Sequence, residues 1–220
     1  MTRTITFIAS LALVFTARGD YVIKEELENS GQVQQITLKI KDAKVREDVE
    51  GQNSAIVDSN TGETTLLLHS QKAFLKITPE QLKAQAEALK DLLGTKAGNS
   101  RNIELKPTGK KETINGFDTE EYTTERNGIQ MSIFVAEQFP NYRKLVEALY
   151  QVQSGPAMDI LRSMSIPPDK YPGLPIRTTE SIMGQKIVVI LDSAQETDVP
   201  DTDFIIPSDY KELNPRETGK

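Results

Sequence analysis

Apolar residues at every second position, interrupted at short intervals by turn formers, constrain this chain more than any other feature. From Gln35 to Ile40, Ile36, Leu38 and Ile40 fall on one side of an extended strand and Gln35, Thr37 and Lys39 on the other, because successive strand side chains point to opposite faces. A sheet with one dry and one wet face follows. Tyr21, Ile23 and Leu27 begin the pattern, and Ala43 to Val49 repeats it with Val45 and Val49 inward and Lys44, Arg46 and Asp48 outward. Leu66, Leu67 and Leu68 form an unbroken run, which predicts a strand covered on both faces. Two Asn-Gly pairs, Asn115-Gly116 and Asn127-Gly128, separate three further alternating stretches. Such pairs tolerate the positive φ that tight hairpins demand, so these stretches predict a meander.

Two segments change period. Thr78-Pro79-Glu80-Gln81 offers a capping hydroxyl, a proline at the first helical position and a glutamine at the reciprocal site, so a helix is expected to start there. Its stripe of Leu82, Ala86, Leu89 and Leu93 ends at Gly94, and Tyr142, Leu145, Val146, Leu149 and Val152 mark a second helix ending before Gly155. Pro156 to Met164 can make a third, and the four prolines between Pro167 and Pro175 exclude regular structure there. Near the end, Phe204, Ile205 and Ile206 read as a closing strand stopped by Pro207, with a ring whose removal would be costly if it were buried. Strand groups with helices between them give an α+β class, and a sheet of about ten strands must curl. The expected architecture is a large curved antiparallel sheet, a half-open barrel, with two or three helices on its concave side.

The N-terminus carries Arg3, the apolar run Ile5 to Phe15, and Ala17-Arg18-Gly19, the pattern of a cleaved secretory signal. The run is too short to cross a bilayer, which takes roughly 20 apolar residues. Residues 1–19 are therefore expected to leave, residues 20–213 to form a single domain, and residues 214–220 to be a flexible tail. Arg3 and Arg18 leave with the signal and no acid does, so the formal charge of −6 becomes −8. That balance, without a long Lys/Arg run, argues against a nucleic-acid partner. A chain with no Cys has no disulfide, thiolate site or lipid-bearing cysteine. The mature protein is expected to be periplasmic or secreted, with no membrane span.

His69 is the only histidine, which excludes two-His metal sites, and no Gly-x-Ser-x-Gly elbow is present. Ser70 adjoins His69, but neighbours on a strand point apart, so the pair does not predict a catalytic dyad. Two acidic groups, Asp118, Glu120 and Glu121 and then Glu196, Asp198, Asp201 and Asp203, carry oxygen ligands of the kind Ca²⁺ takes. The second lacks EF-hand spacing, and both read as edge charge that discourages strand-to-strand aggregation. No glycine-rich phosphate loop is present and Trp is absent. No catalytic residue, metal or cofactor is assigned.

The pieces KIKDAKVREDV, SAIVDSNTGETTLLLHSQKAFLKI, INGFDTEEY, YPGLPIRTTE and VPDTDFIIPSDYKEL resemble an exported bacterial family known as domain of unknown function 4412. That family is similar in layout to periplasmic lipoprotein localisation factors, and the resemblance implies a half-open antiparallel barrel, lidded by helices, that holds acyl chains. Arg46 sits in the strand where those carriers also have an arginine. The expected function is a non-enzymatic carrier of an acyl chain or apolar peptide, lined by Leu89, Leu93, Leu145, Leu149 and Met158. The alternatives are an envelope assembly factor working through protein contacts and, ranked last, a hydrolase.

Overall fold

In the computed structural model of the chain, residues 19–92, 103–126, 129–152, 165–182 and 184–213 are described. Alternation produces strands wherever it was strong: β1 (Tyr21–Asn29), β2 (Gln32–Lys41), β3 (Lys44–Val49), β4 (Asn53–Asp58), β5 (Thr64–Leu68) and β6 (Ala73–Ile77). After α1 (Pro79–Leu92) come β7 (Lys106–Ile114), β8 (Phe117–Arg126), β9 (Ile129–Ala136), α2 (Tyr142–Val152), β10 (Leu174–Ile182), β11 (Gln185–Glu196) and the two-residue β12 (Lys211–Glu212). All twelve strands share one sheet in the order β12-β6-β5-β4-β3-β2-β1-β11-β10-β9-β8-β7. The sequence implied about ten; β12 is short and polar and carries no pattern to read.

Two local expectations rest on side-chain chemistry and hold. Asn115 and Gly116 have φ of 49° and 82°, the geometry the hairpin needs. At α1, Thr78 Oγ1 accepts from the Gln81 amide at 3.3 Å while Gln81 Oε1 accepts from the Thr78 amide at 2.9 Å, a closed capping box. The Asn127-Gly128 turn and the Pro156 to Met164 helix lie outside the described residues, but β8 and β9 pair antiparallel across the former.

The sheet curls along its β7 flank. Asn115 Nδ2, at the β7–β8 turn, donates to the Leu191 carbonyl of β11 at 3.0 Å, and Arg177 of β10 donates twice to Glu112 of β7, at 2.7 and 3.0 Å. In a flat sheet three strand spacings would put these backbones about 14 Å apart, beyond the reach of an asparagine. Arg177 also lies 4.2 Å from the Phe134 ring centroid, held between the ring and Glu112. The main core joins Tyr21, Ile23, Ile40 and Val45 to Phe134, Leu174 and Ile176, with Leu145 and Val146 of α2 packed among them. A smaller core forms around Ile103, Ile133, Val135 and Ile166. On α1 the polar Glu80, Gln81, Lys83 and Gln85 are exposed, while Ala86 of the expected apolar stripe is buried and Leu82 half-buried.

Two readings change. Phe204 to Ile206 is not a strand: Asp201–Phe204 forms a 3₁₀ turn, Ile205 is 59% exposed, and the only pairing of this segment is β12 parallel to β6. The prolines at 200 and 207 and the acids between them favour a turn over a ladder. The Leu66 to Leu68 run is fully covered on one side only, with Leu67 at 0% exposure and Leu66 and Leu68 half-buried. Because Phe204 is half-buried, Phe204→Ala is expected to cost roughly 1–2 kcal/mol in urea unfolding, less than the 3–5 kcal/mol of a fully buried ring.

Candidate functional site

Directly opposed residues of an antiparallel pair share a face, so the registers of β1–β6 order one face into three rows. The first is Tyr21, Ile40, Val45, Val57, Thr64 and Ile77; the second Ile23, Leu38, Glu47, Ala55, Leu66 and Leu75; the third Glu25, Ile36, Val49, Asn53, Leu68 and Ala73. Where α2 packs, the rows are closed: Tyr21, Ile23, Ile40 and Val45 are buried. Farther along, Ile36, Leu38, Val49, Ala55, Val57, Leu66, Leu68, Leu75 and Ile77 are half-buried. At a strand spacing of about 4.8 Å the six strands span roughly 24 Å. Thr64 Oγ1, in the first row, is a buried hydroxyl without a hydrogen-bond partner.

Two carboxylates interrupt this face. Glu25 lies opposite Ile36 and Glu47 opposite Leu38, so they flank β2 from either side. Burial, then the charges of Glu47 and Asp192, push the Glu25 carboxyl up to about 7. Glu47 is solvent-exposed, yet desolvation and then Asp48 raise its pKa as well. Period two places both residues here, at the positions between Ile23 and Leu27 and between Val45 and Val49, where sequence reasoning named only the apolar neighbours.

The opposite face of β3–β5 is closed by the C-terminal segment. Arg46 Nε donates to Asp48 Oδ1 at 2.7 Å, Nη2 to Ser54 Oγ at 3.2 Å and Nη1 to the Asp203 carbonyl at 2.8 Å. Ser54, 1% exposed, donates its one proton to Asp48 at 2.5 Å. His69 Nε2, 2.6 Å from Ser54 Oγ, must then be the donor, which leaves Nδ1 to accept from the Tyr210 hydroxyl at 2.7 Å. His69 therefore meets Ser54 and not Ser70. With its proton committed, its lone pairs occupied and no access to solvent, Ser54 cannot act as a nucleophile in this arrangement.

The acids of the closing segment are held by lysines: Asp203 with Lys39 at 3.1 Å, Asp201 with Lys41 at 3.0 Å and Asp209 with Lys72 at 2.9 Å. The Lys41 ammonium also donates to the Val199 carbonyl at 2.7 Å, and Val199 is 1% exposed. These acids are anchors, a role sequence reasoning missed because the lysines lie some 160 residues upstream. The other acidic group is divided too. Asp118 accepts from Thr113, Glu120 pairs with Lys111, and Glu121 accepts from Ser132 and Thr108. Among the described residues no three His, Cys, Asp or Glu side chains form a group that could hold a metal ion.

Of the anticipated lining residues, Leu145 is buried in the main core and Leu149 packs half-buried against it. The Leu89 side chain, Leu93 and Met158 lie outside the described residues. An open cleft of about 800 Å³ at the far ends of β8–β11 is lined by polar groups including Glu104, Lys106, Thr123, Ser132, Glu180 and Lys186. Among the described residues no helix is long and apolar enough to cross a membrane.

Fold and site together define, among the described residues, a twelve-stranded sheet in which the C-terminal segment covers one face of β2–β5 and the other face of β1–β6 is mainly apolar and half-buried. The chain belongs to the family described as domain of unknown function DUF4412, whose model matches residues 18–210. No match was found among proteins of curated function. Among solved structures, PNGF-II is 15% identical, with a TM-score of 0.39 over 90% of this chain and 31% of its own. Lipoprotein LppX of Mycobacterium tuberculosis is 10% identical, with a TM-score of 0.46 over 82% of this chain and 89% of its own. The MucA/MucB complex of Pseudomonas aeruginosa gives 9% identity and a TM-score of 0.43 over 87% of this chain and 56% of the matched one. The chain thus spans about a third of PNGF-II. These likenesses are too loose to carry a functional argument.

Proposed function

We propose that this protein is a non-enzymatic extracytoplasmic carrier that holds an acyl chain along the apolar rows of β1–β6. The observation that supports the reading most is the run of half-buried apolar side chains on one face of β2–β6, from Ile36 to Ile77, set against an opposite face that the C-terminal segment covers over β3–β5. A sheet face of this extent, left partly wet, gains free energy when hydrocarbon replaces water, at about 25 cal/mol per Å² removed. In this reading Leu145 and Leu149 border the chain-binding surface, and Leu89, Leu93 and Met158 complete it. The extracytoplasmic location rests on the leader pattern from Arg3 to Gly19.

Gentle purification of the protein expressed with its leader, followed by native mass spectrometry, tests the proposal. The expected result is a series of adducts spaced by two-carbon units that solvent extraction removes. A clean polypeptide mass, together with no uptake of a fluorescent fatty acid by the extracted protein, would overturn it.

A further inference from the structure

Building on the carrier reading, we infer that Glu25 and Glu47 make the apolar face selective for a single-chain amphiphile whose head is a primary ammonium. Among the described residues neither carboxylate pairs with a Lys, Arg or His, whereas on the opposite face Asp48 pairs with Arg46 and the acids that close over it pair with Lys39 and Lys41. The contrast is one of placement. Among the described residues, Asp48, Asp201 and Asp203 on the closed face meet cations, and Glu25 and Glu47 on the open face meet none.

Glu47 stands in the middle row between Leu38 and Ala55, and Val45 and Val49 precede and follow it on the same face. Glu25 stands at the end of the third row, beside Ile36. A chain laid across β3–β6 would therefore run over hydrocarbon at Ala55, Leu66 and Leu75 and bring its head to the two carboxylates flanking β2. Desolvation raises both carboxyls, with Glu47 and Asp192 adding to it at Glu25 and Asp48 adding to it at Glu47, so ionising either one costs free energy in this setting. An ammonium offsets that cost with charge-assisted hydrogen bonds, a neutral head offsets little of it, and a carboxylate head adds to it. Glu47 is exposed and Glu25 half-buried, so Glu47 is the carboxylate that a head group meets first.

The test is titration calorimetry at pH 8 with three twelve-carbon probes below their micellar concentrations: dodecylamine, dodecanol and dodecanoate. Dodecylamine is expected to bind at least roughly tenfold more tightly than dodecanol, and dodecanoate more weakly than either. Glu25→Gln/Glu47→Gln should bring the amine to the affinity of the alcohol and leave the alcohol unchanged. Equal binding of all three probes would overturn the ammonium head while leaving the carrier reading intact. Binding of none would remove both.

Discussion

Arg46→Met is expected to destabilise the fold by about 3 kcal/mol, read as a lower urea midpoint at unchanged slope. The guanidinium, 17% exposed in its side chain, bridges three elements: Asp48 on its own strand, Ser54 on β4 and the Asp203 carbonyl of the closing segment. Methionine keeps the aliphatic bulk but leaves the Asp48 carboxylate, Ser54 and a main-chain carbonyl short of a donor. Removing one member of a buried ion pair costs about 3–5 kcal/mol, and the partial exposure here places the estimate at the lower end. Arg46→Met combined with Asp48→Leu should recover part of the loss, because an apolar pair strands no charge. A single-variant loss under about 1 kcal/mol would show that the strap is anchored elsewhere.

Glu25→Gln should act in the opposite direction and only above acidic pH. The carboxyl is raised from 4.5 to about 7 by burial, then by Glu47 and Asp192. Below pH 4.5 it is protonated both folded and unfolded, and no penalty arises. Between pH 4.5 and about 7 the unfolded chain ionises while the folded protein keeps the proton, so stability is lost progressively across that window and the loss is complete above it. At about 1.4 kcal/mol per unit, the full difference is about 3 kcal/mol. The glutamine variant is therefore expected to match the parent at pH 4 and to exceed it by about 2–3 kcal/mol at pH 8. Glu47 and Asp192 remain in both proteins, so the difference between their pH profiles isolates residue 25. Parallel profiles would mean that Glu25 ionises without resistance.

Much of this arrangement was legible in the sequence, and the reason is local. Ile36, Leu38 and Ile40 announce their face through alternation, Asn115-Gly116 its turn through tolerance of positive φ, and Thr78 with Gln81 the start of α1 through a reciprocal cap. Glu25 and Glu47 were legible on the same grounds, since period two assigns them to the apolar face. They are inconspicuous because an acid in a strand is usually read as solvent-facing. The strap was not legible. Its stability comes from Lys39, Lys41, Arg46 and His69, distant in sequence, and a string of acids and prolines does not reveal which cations it will meet. The apolar trio Phe204, Ile205 and Ile206 suggested a ladder where tertiary pairing made a turn.

The position of β1 in the middle of the sheet has a kinetic consequence. β1–β6 and β7–β9 are meanders of near neighbours and β10–β11 is a hairpin, all able to form early, but β1 must find β11, with Tyr21 opposite Glu196. Loop closure over that separation is slow, and the free edges of β1 and β11 stay unpaired until the chain is almost complete. The seam between the two halves is thus the late step of folding, and an unfolded chain awaiting it exposes two long strands to any other copy in the same condition.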